Sequence, residues 1–258
     1  MRTPRKGKDH LNPDLVCVMK QIRISSEKAK LRKDDIWPRW ERESRYSKNG
    51  LLEYEDTYGP DAITECTFSY GEDGLLRSKH TVTGEEDILD TFMEYDDKGR
   101  IANVKMVFNE GEATNTSVYN WSEDGQHCTV DVEEVNSSSE KMNWRFEETY
   151  KDDLLVKSVR HESDGRISAV DSYAHYPDGT LLEESLTRIS GPCEDPVIET
   201  VMHSYDHAGR PAWSIYPEDD VLEYTYELDK EGNWISKKVW DHTGALADEI
   251  EREIEYWD

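Results

Sequence analysis

The chain has 258 residues, enough for one large domain or two small ones, yet only 35% are hydrophobic while 34% are charged, and the net charge is −26. Such a surface repels nucleic-acid phosphates and anionic membranes and favours cationic partners. Leu, Ile, Val and Phe make up about 19% of the residues, a disorder-prone level, but 14 Tyr and 8 Trp together with regularly spaced turn signals point to an ordered, strand-rich protein with a thin core.

Residues 1–40 stand apart. The first 35 hold ten Lys/Arg against five Asp/Glu, a net of +5, which leaves −31 on the rest of the chain. In "NPDLVCVMKQIRIS", Asn12 can cap a helix whose first turn holds Pro13, and "SSEKAKLRKDD" is also helix-compatible. These residues are expected to form a short N-terminal helical cap over the first edge of a sheet, because repeat arrays need their edges covered. The apolar run "LVCVM" is too short for a signal peptide and no segment reaches the length of a membrane span, so the expected location is the cytoplasm, or outside the cell if a leader has been removed.

Residues 41–258 read as a repeat array. Aligned on the residue before a turn, the units start at Tyr46, Tyr70, Tyr95, Trp121, Tyr150, Tyr176, Tyr205 and Leu228, at separations of 24, 25, 26, 29, 26, 29 and 23 residues. Turns such as "YDDKGRI" and "YDHAGRP" place Asp where it can bond its own backbone two residues on. Gly50, Gly74, Gly99, Gly125, Gly179, Gly209 and Gly232 supply the positive φ that tight turns impose. About 26 residues accommodate two strands and two turns, and second turns are visible in "TVTGEED", "NEGEATN" and "WDHTGAL". The fold class is therefore all-β: about eight hairpins in a single-layer or shell-like curved antiparallel sheet, with the Tyr, Trp and Leu stripe on one face. "EREIEYWD" places charges on the last strand, as if to blunt an edge.

Little in the sequence suggests catalysis. Cys17, Cys66, Cys128 and Cys193 are too scattered for a zinc site or a compact disulfide framework. His203, Asp206 and His207 are the densest group of metal-ligand residue types, but they straddle a predicted turn and read as turn residues. The acidic turns lack the spacing of a calcium loop, and no phosphate loop, G-x-S-x-G or H-E-x-x-H occurs. The expectation is no enzyme, no cofactor and no metal. The sequons at Asn115, Asn120 and Asn136 matter only in a secretory context.

The units "YDDKGRI", "YDHAGRP" and "LDKEGNW" resemble the YD repeat of Rhs-type proteins over residues 41–258, and "YSKNGLL" and "YPDGTLL" look like the MORN-variant repeats of YwqK-type, antitoxin-annotated proteins. The Rhs resemblance implies hairpins coiled into an antiparallel sheet that serves as a container or a binding surface. Large Rhs proteins carry many more repeats and a D-P-x-G self-cleavage motif. Here "EDPVIE" lacks the glycine and no toxin segment follows, so a free-standing binding array is the better fit.

The expected function is a non-enzymatic interaction module whose acidic sheet docks a basic partner protein, with no direct contact to nucleic acid or membrane, and with immunity or antitoxin action as its sharper form. Trp213, Trp234, Trp240, Tyr205 and Tyr176 are the candidate contact residues, since aromatic anchors dominate interfaces. The alternative is a carbohydrate-binding repeat protein that uses the same Tyr/Trp stripe as a sugar platform.

Overall fold

A computed structural model describes residues 22–32, 40–59, 62–84, 87–189, 197–206, 208–217 and 220–257. Its strands are β1 (Ile22–Arg32), β2 (Glu41–Tyr46), β3 (Leu52–Tyr58), β4 (Ile63–Tyr70), β5 (Leu76–Thr83), β6 (Asp87–Tyr95), β7 (Ile101–Phe108), β8 (Ala113–Trp121) and β9 (His127–Val135). They continue with β10 (Lys141–Lys151), β11 (Leu154–Glu162), β12 (Ile167–His175), β13 (Leu181–Arg188), β14 (Val197–Tyr205), β15 (Pro211–Tyr216), β16 (Asp220–Leu228), β17 (Trp234–Trp240) and β18 (Leu246–Tyr256). A 3-10 turn, Asn109–Gly111, lies between β7 and β8.

Among the described residues the expected turns are present. At Asp96 the backbone N–H donates to the Arg100 carbonyl (2.8 Å) and Gly99 N–H donates to the Asp96 carbonyl (3.0 Å). The Asp96 Oδ1 atom accepts from the N–H groups of Lys98 and Arg100, both at 2.9 Å. Gly99 sits at φ +77°, in the left-handed region where a side chain is strained. The pairing slips by one residue between Glu94 and Tyr95, a bulge that lets the strand leave the turn with its alternation reset. Asp206, Asp229 and Asp241 make the same pair of backbone bonds.

At several turns the preceding aromatic ties neighbouring hairpins together. The Tyr70 hydroxyl donates to the Leu52 carbonyl (2.8 Å), and Trp121 Nε1–H donates to the Ile101 carbonyl (2.7 Å). The rings of Trp121 and Tyr150 meet at 4.9 Å. In the "DxxGR" turns the arginine joins in: Arg100 Nε donates to Asp96 (2.7 Å) and its guanidinium lies 5.0 Å from the Trp121 ring. Arg210 does the same with Asp206 (2.7 Å) and Tyr226 (5.3 Å).

Two expectations fail at the ends of the array. The segment "SSEKAKLRKDD" does not form a helix through Arg32; it belongs to β1, which pairs with β2 on one side and with β18 on the other. Helix-compatible composition is a weak preference, and here two ladders of backbone hydrogen bonds override it. The proposed cap at Asn12 and Pro13 lies outside the described residues. The open sheet also fails. The strands form one 18-stranded sheet in which β18 pairs with β1, so β18 is not a free edge.

The described chain divides into two compact units. The second, built around residues 78–204, has the more apolar core. Cys128, Val130 and Val132 on β9 are buried beneath Tyr119, Trp121, Trp144, Phe146 and Tyr150. Burial pushes the Cys128 thiol up to about 12, which makes it an inert packing group. The first unit, residues 1–77, 205–213 and 222–258, buries the ionic groups Glu27, Asp56 and Arg252 alongside apolar residues such as Ile22, Trp234, Val239 and Ile250.

Candidate functional site

The first unit's two sheet faces follow from register. On the buried face, Arg252, Glu27 and Arg42 are direct cross-strand partners on β18, β1 and β2. Arg42 donates to Glu27 at 2.5 Å, Arg252 Nε donates to Ser25 Oγ at 2.6 Å, and the Arg252 guanidinium lies 4.8 Å from the Trp234 ring. The Glu27 and Arg252 side chains are 9% and 4% exposed. At that depth each charge depends on its partners.

The opposite face is exposed and acidic. Alternation along β18 places Glu251, Glu253 and Glu255 outward, all exposed. Across the strands, Glu253 faces Ser26, Ser26 faces Glu43, Glu43 faces Asp56 and Asp56 faces Glu65. Directly opposed like charges destabilise a sheet, yet this row holds four carboxylates and no cation. Nearby countercharges are Arg45, which donates to Glu43 at 2.8 Å, Lys28, which pairs with Glu41, and Arg23, 4.0 Å from Glu255.

Asp56 is unlike its neighbours in the row. It is 5% exposed although it lies on the exposed face. Its Oδ2 atom accepts from the Tyr58 hydroxyl at 3.4 Å, while Oδ1 is buried without a hydrogen-bond partner. The Tyr54 hydroxyl is pushed up to about 12, first by its hydrogen bond to Asp56 and then by burial. Tyr58 is raised chiefly by the Asp56 charge. Both hydroxyls therefore stay protonated as donors around this carboxylate.

The second unit carries a shallow groove of about 690 Å³ across β8 to β11, lined in part by Asp131, Glu133, Arg145, Glu147 and His161. Arg145 is bonded to Asp131 at 2.6 Å, and His161 is 3.5 Å from Glu147. Its charges are thus largely engaged with one another.

The aromatic contact candidates lie on or beside β12, β14, β15 and β17. Trp234 is 4% exposed, covered by Arg252 and by an edge-on contact with Tyr226 at 6.5 Å. Its ring is structural, and it is withdrawn from an outer contact surface. Trp240 Nε1–H donates to Thr225 Oγ1 at 3.0 Å, and the Tyr176 hydroxyl donates to the His203 carbonyl at 3.3 Å. Trp213 and Tyr205 are half-buried on β15 and β14. His203 contacts Ser214 Oγ at 3.0 Å and Asp206 serves its turn, whereas His207 is outside the described residues. No group of three or more metal-ligating side chains comes together among the described residues. Sequence reasoning missed the acidic row, because only the register brings Glu43, Asp56, Glu65 and Glu253 into line.

No family model and no curated protein matches the chain. Among solved structures it is similar to a porin-like protein from Bacteroides uniformis, at 13% identity over 91% of this chain and 98% of that one, with a TM-score of 0.45. A porin-like protein from Bacteroides vulgatus is similar at 12% identity, over 92% and 99% of the two chains, with a TM-score of 0.37. The TcdB2-TccC3 structure matches at 12% identity over 83% of this chain but only 15% of that one, with a TM-score of 0.32. Likenesses this loose carry no argument about function.

Proposed function

We propose that this protein is a non-enzymatic interaction module that docks a basic protein on the acidic face of β18, β1, β2, β3 and β4. The observation that carries this reading is the in-register row Glu253, Glu43, Asp56 and Glu65, flanked by Glu251 and Glu255. A row of opposed carboxylates costs stability in the free protein, and an incoming cation offsets that cost. Docking of this kind is steered over long range and is sensitive to salt. The same face supports a water-facing role, since a lipid-facing barrel strand alternates apolar residues outward and β18 alternates glutamates there. Neutralisation of a basic toxin is the sharper form of the proposal and rests on charge and the YD-like turns.

The test is capture from native lysate on the immobilised protein at low salt, followed by a salt gradient and mass spectrometry. The expected result is one basic protein eluting at moderate salt. Retained proteins with no bias in charge, or elution indifferent to salt, would overturn the reading.

A further inference from the structure

Asp56 is the least expected residue on the acidic face. A carboxylate in the middle of a row of carboxylates gains most by staying in water, yet this one is 5% exposed and leaves Oδ1 without a partner. Burying an unsatisfied charged oxygen is costly, and the Tyr58 hydroxyl reaches only Oδ2. Two tyrosines stand on the same face two residues to either side, Tyr54 and Tyr58, and Tyr58 is 45% exposed. The neighbourhood already binds one guanidinium: Arg45 lies 4.7 Å from the Tyr54 ring and donates to Glu43 at 2.8 Å. The Asp56 and Glu65 side of the row has a tyrosine, two carboxylates and, among the described residues, no such occupant.

We propose that Asp56, Glu65 and Tyr58 form a receptor for an arginine side chain of the docked partner. A guanidinium is planar, donates in a fork to carboxylates and stacks on aromatic rings. The long 3.4 Å bond from Tyr58 to Asp56 gives way to the incoming group, and the exposed Tyr58 ring then covers the guanidinium. This inference rests on the docking reading above and fixes where its central contact falls.

The test uses a fluorescein-labelled tetra-arginine peptide, with anisotropy measured at low salt on the full chain. Three variants are compared with the parent: Asp56→Asn, Tyr58→Ala and Glu253→Gln. Glu253 lies on the same face three strands from Asp56, about 14 Å at ~4.8 Å per strand, so Glu253→Gln removes an equal charge outside the receptor. The expected result is about tenfold weaker binding for Asp56→Asn, at least about threefold for Tyr58→Ala, and a smaller loss of about twofold for Glu253→Gln, which removes one charge of the docking row. Melting followed by circular dichroism should show Asp56→Asn at least as stable as the parent, because it relieves two opposed charge pairs. A merely structural Asp56 predicts the reverse. If Asp56→Asn does not fold, Tyr58→Ala against Glu253→Gln decides. Equal losses for Asp56→Asn and Glu253→Gln would overturn the receptor while leaving diffuse acidic docking intact. Failure of the parent protein to bind the peptide would overturn both.

Discussion

The turn aspartates join local chemistry to stability. Asp96, Asp206 and Asp229 are all held below the usual carboxylate range. Burial pushes each one up but is outweighed, at Asp96 and Asp206 by bonds from the following arginine and from backbone amides, and at Asp229 by the Tyr256 hydroxyl and backbone amides. A folded pKa below the unfolded value of about 3.9 means the stabilisation is complete above that value and is lost as pH falls through the folded one. Asp96→Asn should therefore flatten the fall in melting temperature below about pH 4, and an unchanged acid profile would refute this. At neutral pH, Asp96→Ala should cost about 2 kcal/mol in urea unfolding, since it removes two backbone bonds and an ion pair. Asp97→Ala, one exposed residue along, should stay within about 0.5 kcal/mol. Gly209 sits at φ +79° in open space, where an added Cβ would meet no atom within 4 Å, so Gly209→Ala should cost about 1 to 2 kcal/mol through backbone strain alone. This scale was the most legible in the sequence, because a turn's chemistry lies within five consecutive residues.

At the scale of elements, legibility depends on how far apart the partners lie. Hairpins β6 to β7 and β16 to β17 could be read from "YDDKGRI" and "LDKEGNW". The strand β1 could not, since "SSEKAKL" is helix-compatible and its partners, β2 and β18, are set by long-range pairing. The acidic row was hidden for the same reason: Glu43, Asp56, Glu65 and Glu253 are ordinary surface-type residues until the register aligns them. On the buried face, Glu27 stands between Arg252 and Arg42. Glu27→Gln should destabilise the protein by about 3 kcal/mol, because the buried Arg252 and the half-buried Arg42 guanidinium groups lose their countercharge. The double change Glu27→Leu with Arg252→Met should recover much of that loss. Urea unfolding of the two variants measures the difference, and equal losses would mean that packing alone holds these strands.

For the whole molecule, the charge of −26 makes self-repulsion a term in stability and attraction a term in binding. Added salt should raise the melting temperature of the free protein by screening like charges, and it should slow association with a basic partner. The closed pairing of β1 with β18 gives this charge an ordered presentation, because it fixes Glu251, Glu253 and Glu255 on a strand bonded on both sides instead of on a fraying edge. Closure was not legible, since turn residues set each hairpin but not the return of the last strand to the first. The most direct test of the docking account is the association rate of the captured partner, measured by stopped flow across ionic strengths for the parent chain and for Glu251→Gln/Glu253→Gln/Glu255→Gln. The account predicts a rate that falls steeply with salt in the parent, and a slower, flatter dependence in the variant. A rate indifferent to salt, or equal in the two proteins, would contradict it.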